Sequence, residues 1–280
     1  MKVAVTSASG KLGSAIIQHL KTEIGKENVI GIARTPSRAE HLGVEIRAGD
    51  YNSREQFNEA LKGVDSCLIL SGNDHPYNRI QQHRNIIEAA KSNGVSKLGY
   101  TSITGDEKDN DFSPIVRSNR QTEEDIRDSG LNWCIGRNGI YIEPDIEYID
   151  EYIKEGSVTN CAGDGKCSYT TRKELAVAYT QMLLDDHHNR QTYYLGGEPV
   201  TQSVLVECLN KIYGTQLIYK PVSVEEYIRE RKAALGDFLG TVIGGIYEGI
   251  STGAFDINPD FEIAAGRPHK TLEEMIRDIQ

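Results

Sequence analysis

The sequence predicts a doubly wound α/β domain with a smaller lobe attached. Three observations lead there. Strand-like and helix-like segments alternate through the first half of the chain. A glycine-containing turn joins the first strand to the first helix. The alternation then breaks down beyond residue 140. At 280 residues the chain can hold one large α/β domain and an added lobe.

The elements follow in order. Residues 2–6 read as an apolar strand, and Leu12, Ile16, Ile17, Leu20 and Ile24 then recur at helical spacing. Residues 29–33 read as a strand, 37–42 as a short helix, 44–47 as a strand, 53–61 as a helix and 64–70 as a buried strand. A helix over 77–93 ends at Gly94, a strand covers 97–101, a helix over 114–128 ends at Gly130, and a strand covers 132–135. This order implies right-handed crossovers and a parallel sheet with helices on both faces, the Rossmann arrangement. Residues 141–170 are mixed, with turn clusters at 155–156 and 163–165. A helix over 174–184 and a strand over 192–195 follow. Short helices and one strand, 217–219, fill the remainder. The expected division is a dinucleotide-binding domain over 1–140, with return segments within 156–197. The small substrate-side lobe is expected over 198–280 plus parts of 141–170.

The formal net charge of −10 gives the whole protein no attraction for nucleic acid or anionic lipid. Cys67, Cys134, Cys161, Cys167 and Cys208 are scattered, with no pair at C-x-x-C spacing, as expected of reduced thiols in the cytoplasm. No basic segment leads into a long apolar run at the start. The stretch 238–250 is too short and glycine-rich to span a bilayer, so no membrane partner is expected.

The first turn reads TSASGKLG over 6–13. Gly10 would let the backbone approach a pyrophosphate, and Gly13 would let helix and strand pack closely. Exposed amides at the helix start would bind the phosphates, and Lys11 adds a positive charge. Ser7 stands where such turns usually hold glycine. Serine fits there if φ stays negative, and its hydroxyl could then cap the helix or touch a phosphate. A plain strand-to-helix turn with no ligand is the alternative. At the end of the second strand the acid that accepts from an NAD ribose is missing, and Arg34 stands at or beside its place, with Arg38 one turn on. A guanidinium suits a 2′-phosphate, so NADP(H) is expected over NAD(H), unless both arginines are simply solvated. Asp50 ends the third strand, where it could meet the adenine amine or serve only the turn at Asn52 and Ser53. Ser71, Gly72 and Asn73 follow the fourth strand and could lie against the cofactor ribose.

Beyond this loop, GDY at 49–51, QHRNIIEAAKSNGV at 82–95, YTS at 100–102 and RNGIY at 137–141 recur with AGDGK at 162–166, TTRKELA at 170–176 and AAGRPHKTLEE at 264–274. Together they resemble the NmrA-like subfamily of atypical short-chain dehydrogenases, on the branch of bacterial NADPH:quinone and triphenylmethane-dye reductases. The resemblance covers nearly the whole chain. It implies a Rossmann domain with a small C-terminal lobe, NADPH, and a flat aromatic substrate in the cleft between them. Carried over by position, cofactor contacts fall on Ser7, Ala8, Ser9, Gly10, Lys11 and Leu12, on Arg34, on Ser71 to Asn73, and on Asn138, Gly139, Ile140, Tyr141, Ile142 and Glu143. The 138–141 loop follows the sixth strand and so reaches the same crevice on topology alone. Tyr141 could stack on the nicotinamide or a flat substrate, or pack at the lobe interface. Lys166 and Arg172 could reach cofactor phosphates or serve as turn and cap residues.

The Tyr-x-x-x-Lys pair of the main short-chain dehydrogenases is absent from the helix after the fifth strand. Ser102 remains at that strand's end, and a lone serine is a poor acid. Alcohol oxidation needs a base for the hydroxyl proton. Hydride transfer to a quinone or cationic dye needs mainly an aligned acceptor and water. The expectation is therefore NADPH-dependent reduction of a quinone-like acceptor, with no catalytic residue named and no metal. A non-catalytic NADP(H) sensor acting through a protein partner is the second reading, and an epimerase-like enzyme the third. A homodimer is compatible with all three. His187 and His188 read as a solvated helix terminus rather than metal ligands. Asp74 and His75 could gate the cleft, and the apolar stripe from Leu239 to Ile250 could pack the lobe or wall the pocket.

Overall fold

The computed structural model describes residues 1–108 and 110–279. The first half runs β1 (Val3–Val5), α1 (Lys11–Ile24), β2 (Val29–Ala33), β3 (Glu45–Ala48), α2 (Arg54–Ala60), β4 (Ser66–Leu70), α3 (Pro76–Ser92), β5 (Lys97–Ile103), α4 (Ser113–Arg127) and β6 (Asn132–Asn138). The second half runs β7 (Ile140–Tyr141), α5 (Glu143–Glu147), α6 (Ile149–Glu155), β8 (Ser157–Asn160), β9 (Lys166–Thr170), α7 (Arg172–Leu184), β10 (Gln191–Leu195), β11 (Pro199–Thr201), α8 (Gln202–Tyr213), β12 (Ile218–Pro221), α9 (Val224–Leu235), α10 (Asp237–Ser251), α11 (Phe261–Ala265) and α12 (Leu272–Ile279).

Seven parallel strands form the main sheet in the order β10-β6-β5-β4-β1-β2-β3. An all-parallel sheet must be covered on both faces, and strand alternation does this residue by residue. Val3 and Val5 join Ile16, Ile17 and Leu20 of α1 and Leu175, Tyr179 and Met182 of α7 on one face. Ala4, between them, joins Ile30, Ile32, Phe57, Ile86 and Ile135 on the other. Each fully buried aliphatic side chain here contributes about 1.5–3 kcal/mol of transfer free energy. Local chemistry starts the helices. Ser53 and Thr171 accept from the amides of Gln56 and Glu174, and prolines occupy the first turns of α3 and α4.

After β6 the chain leaves the sheet. β7, β9 and β11 form a three-stranded sheet and β8 pairs β12, while α7 and β10 return to the main sheet. A third core joins Ile142, Val158, Tyr169, Leu205, Leu209, Phe255 and Ile276. Strand order reverses between β1 and β4, which opens a crevice at the carboxyl ends of the strands.

Two local expectations need correction. Residues 37–42 form 3₁₀ turns, Pro36–Arg38 and Glu40–Leu42, rather than a helix. So short a segment, closed by Gly43 at φ 68°, cannot offset helix nucleation. The sixth strand also extends to Asn138, and residues 140–141 form a strand rather than a loop. Pairing with β10, in register from Cys134 to Asn138, carries the ladder past the apolar run.

Candidate functional site

The turn after β1 brings the backbone of β1 and α1 together. A Cβ on Gly13 would sit 2.5 Å from the Ser7 carbonyl oxygen, so only glycine allows this approach. Gly10 is the extended N-cap of α1 and no side chain caps that end, so the first-turn amides open toward the cleft. Ser7 departs from expectation, because its φ is +51°, the left-handed region the usual glycine occupies. Its hydroxyl does not cap α1 but lies 3.0 Å from the Tyr51 phenol oxygen, which is also 2.6 Å from Thr6 Oγ1. Tyr51 donates its one proton to the Leu70 carbonyl at 2.8 Å, so Thr6 and Ser7 donate to it. Burial holds this phenol well above the usual tyrosine range, so it stays protonated. Tyr51, the last residue of GDY at 49–51, thus clamps the turn between β3 and β4.

The other sequence-derived positions divide into two sets. Ser7, Gly10, Lys11, Leu12, Gly13, Ser71, Gly72, Asn73, Asn138, Gly139, Ile140 and Tyr141 line one cavity of about 1180 Å³. Ala8, Ser9, Arg34, Asp50, Ile142, Glu143 and Lys166 do not. Ala8 is fully buried and Ser9 exposed. Arg34 is exposed at the end of β2 and makes no ion pair among the described residues. Asp50 Oδ1 accepts from the Asn52 amide at 2.9 Å and so serves the turn. Ile142 faces the third core. Glu143 accepts from the Arg172 amide at 2.8 Å. The Arg172 guanidinium lies 5.3 Å from the Tyr141 ring centroid. Lys166 is exposed at the first residue of β9. Tyr141 is half-buried, and its hydroxyl lies 3.2 Å from Asn138 Nδ2. Asn138 Oδ1 accepts from the Tyr179 hydroxyl at 2.7 Å, which fixes the side-chain amide's orientation. Lys11 reaches across to Glu147 of α5 at 2.6 Å and ties the turn to that helix.

Beyond Tyr141 the cavity runs along α10 and α9. Val242, Ile243, Ile246 and Tyr247 of α10 form one wall, with Phe112, Ile115, Tyr152 and Tyr227. Part of the apolar stripe is therefore a pocket wall. His75 stacks on Tyr77 with ring centroids 5.3 Å apart and lies 6.2 Å from Phe238, so the loop after β4 meets α10 beside the cavity that Asp74 and Phe238 line. His188 is buried against the Tyr193 hydroxyl at 2.9 Å, not solvated as expected, while His187 is exposed. Asp145, on α5, also lines the cavity. Burial pushes its carboxyl up to about 6, against the pull of the Tyr152 hydroxyl that donates to Oδ1 at 3.0 Å.

Sequence reasoning missed the buried polar groups on α3 and α4. Arg79 is 3% exposed and lines the cavity beside Ser71, Thr101 and Asn119. Ser102 donates to Glu123 Oε1 at 2.6 Å, and Arg120 and Arg137 bind the same carboxylate at 2.8 and 2.7 Å. Burial raises the Glu123 carboxyl, but Arg137, Arg120 and Ser102 outweigh it and hold the group below its ordinary range. Ser102 is thus held by a carboxylate whose charge is already shared. The available sequence signal was the position of Glu123, which falls at helical spacing with Val116, Asn119 and Ile126 on the inward face of α4.

A family profile described as NAD(P)H-binding matches residues 7–186. Quinone oxidoreductase 2 of Escherichia coli (strain K12) is 30% identical over 99% of this chain and 98% of its own length. The structure of the Escherichia coli NADPH-dependent quinone oxidoreductase complexed with NADPH superposes with a TM-score of 0.90 at 28% identity, covering 99% of both chains. Triphenylmethane reductase of Citrobacter sp., solved with NADP(H), gives 0.92 at 30% identity over 100% of both chains. Among the described residues no helix is long and apolar enough to cross a membrane.

Proposed function

The chain belongs to the NAD(P)H-binding family, on its NmrA-like oxidoreductase branch, and from that premise we propose that it reduces a quinone or similar flat aromatic acceptor with NADPH. The observation that carries this reading is the two-ended cleft. One end is the uncapped start of α1, where a Cβ would collide at Gly13. The other is an apolar chamber walled by α10 and by tyrosines. The residues fit the dinucleotide: open first-turn amides suit a pyrophosphate, and the exposed Arg34 suits a 2′-phosphate. Ser71, Gly72, Asn73, Asn138 and Tyr141 line the stretch between the two ends.

When bound, reduced nicotinamide supplies the hydride. The chain's own part is then to align a flat ring and exclude water. Tyr141, with Arg172 against its ring, and the aliphatic face of α10 are built for that. The test is calorimetric titration of purified protein with NADPH and NADH, beside absorbance decay of NADPH with a panel of quinones and dyes. Tight NADPH binding with turnover on a quinone is expected. Tight binding without turnover on any acceptor would replace the reductase by a nucleotide sensor. No binding of either nucleotide would overturn both.

A further inference from the structure

The geometry points to Arg79 as an anion-recognising residue at the acceptor end of the cleft, selecting flat aromatic acceptors that carry an ionised ring oxygen. This rests on the reading of the cleft as a nicotinamide site.

Arg79 is a buried cation without a carboxylate. Other arginines that bury charge have carboxylate partners: Arg120 and Arg137 share Glu123, Arg267 binds Glu174, and Arg172 lies 3.5 Å from Glu143. Arg231 also lines the cavity with an unpartnered Nε, but it is only half-buried and its guanidinium lies 5.3 Å from the Tyr227 ring centroid. Among the described residues Arg79 has no ion pair. Its one side-chain hydrogen bond among the described residues runs from Nη2 to Asn119 Oδ1 at 3.2 Å. That oxygen is oversubscribed, since Tyr100 donates to it at 2.6 Å and Ser71 Oγ lies 2.8 Å away. A carbonyl oxygen has two lone pairs, and Arg79 holds the longest of these contacts. Its Nε is buried with no partner at all.

The neighbouring groups do not neutralise it. His83, on the same helix, is held down to about 3 by burial and by the Arg79 charge, and is neutral. Asp74, which lines the same cavity, is occupied: Oδ1 accepts from the His75 amide and Asn78, and Oδ2 from Gln82 at 2.8 Å. A cation taken out of water without a counter-charge is costly unless a ligand supplies one. The position selects which ligand. Arg79 stands at the ends of β4 and β5 with Ser71 and Thr101, whereas the α1 amides and Arg34 follow β1 and β2. The dinucleotide phosphates belong to that second side, so the anion at Arg79 belongs to the acceptor. The acids that line the cavity on α5, α6 and α9, such as Asp145, Glu151 and Glu230, lie on the small lobe.

The experiment compares two naphthoquinones of similar size binding to NADP⁺-loaded protein by calorimetry. Lawsone carries an ionised ring oxygen at neutral pH, and menadione carries a methyl group in its place. Lawsone is expected to bind at least tenfold tighter, equivalent to about 1.4 kcal/mol. Arg79→Gln should bring that ratio near one and leave the NADPH dissociation constant unchanged within about twofold. If Arg79→Gln does not fold, Asn119→Asp sets a carboxylate beside Nη2 and should lower the same ratio. Equal binding of the two quinones to the wild-type protein would overturn the assignment. So would a weaker NADPH complex in Arg79→Gln with the lawsone preference intact, which would move Arg79 to the cofactor. Failure of NADP⁺ to bind the wild-type protein would instead overturn the nicotinamide reading.

Discussion

Ser7 holds a left-handed backbone that glycine adopts more easily, and its hydroxyl is bound to Tyr51 at 3.0 Å. Replacing it by glycine sets two effects against each other. Relief of the left-handed conformation favours glycine by about 1 kcal/mol. Loss of a neutral hydrogen bond costs about 1 kcal/mol. Ser7→Gly should therefore change stability by less than about 0.5 kcal/mol in the wild-type background. Tyr51→Phe removes the bond in advance, so in that background the same substitution should stabilise by about 1 kcal/mol. The coupling between Ser7 and Tyr51 is then about 1 kcal/mol. Urea unfolding of the four nucleotide-free proteins measures it, provided the denaturant slope is common to all. Equal stabilisation by Ser7→Gly in both backgrounds would mean that the hydroxyl contributes nothing. Destabilisation in both would mean that the turn does not need a left-handed residue.

Three further outcomes are expected. Arg34→Ala should weaken NADPH relative to NADH, since a lost charged hydrogen bond costs about 1.5–3 kcal/mol. Parallel titrations check this, and an unchanged ratio removes Arg34 from the phosphate site. Glu123→Ala leaves Arg120 and Arg137 buried without their shared counter-charge, and should cost about 3–5 kcal/mol in urea unfolding; a loss below about 1 kcal/mol would show that solvent already compensates them. Asp145 titrates near 6 in the folded chain against an ordinary 3.8, so the folded state holds the proton more tightly. Its ionisation opposes folding above pH 6, and that penalty of about 3 kcal/mol is relieved as the pH falls toward 4. Asp145→Asn should remove that part of the pH dependence, read from unfolding midpoints across the range. A slope identical to wild type would show the carboxyl to be solvated.

The sequence by itself determined the parallel sheet and the first turn, because both are written in local periods. Alternating apolar runs, capping residues such as Ser53 and Thr171, and the Gly10–Gly13 spacing act within a few residues of themselves. The break in alternation beyond residue 140 pointed to the added lobe, and the resemblance implied NADPH and a flat aromatic acceptor. Tertiary structure alone decided how the turn is held, since Tyr51 lies 44 residues from Ser7 in sequence and meets it only across the sheet. It also decided that β6 reaches Asn138, through pairing with β10 far along the chain. Ile142 and Glu143 adjoin a cleft residue, yet one enters the core and the other binds the Arg172 amide, because a strand-to-helix change turns successive side chains apart. Arg79 lies three residues before QHRNIIEAAKSNGV and belongs to no motif, and nothing in a sequence tells a buried cation from a solvated one. That difference depends on what lies across the cleft: α3 and α4 close over Arg79 and supply one shared amide oxygen instead of a carboxylate.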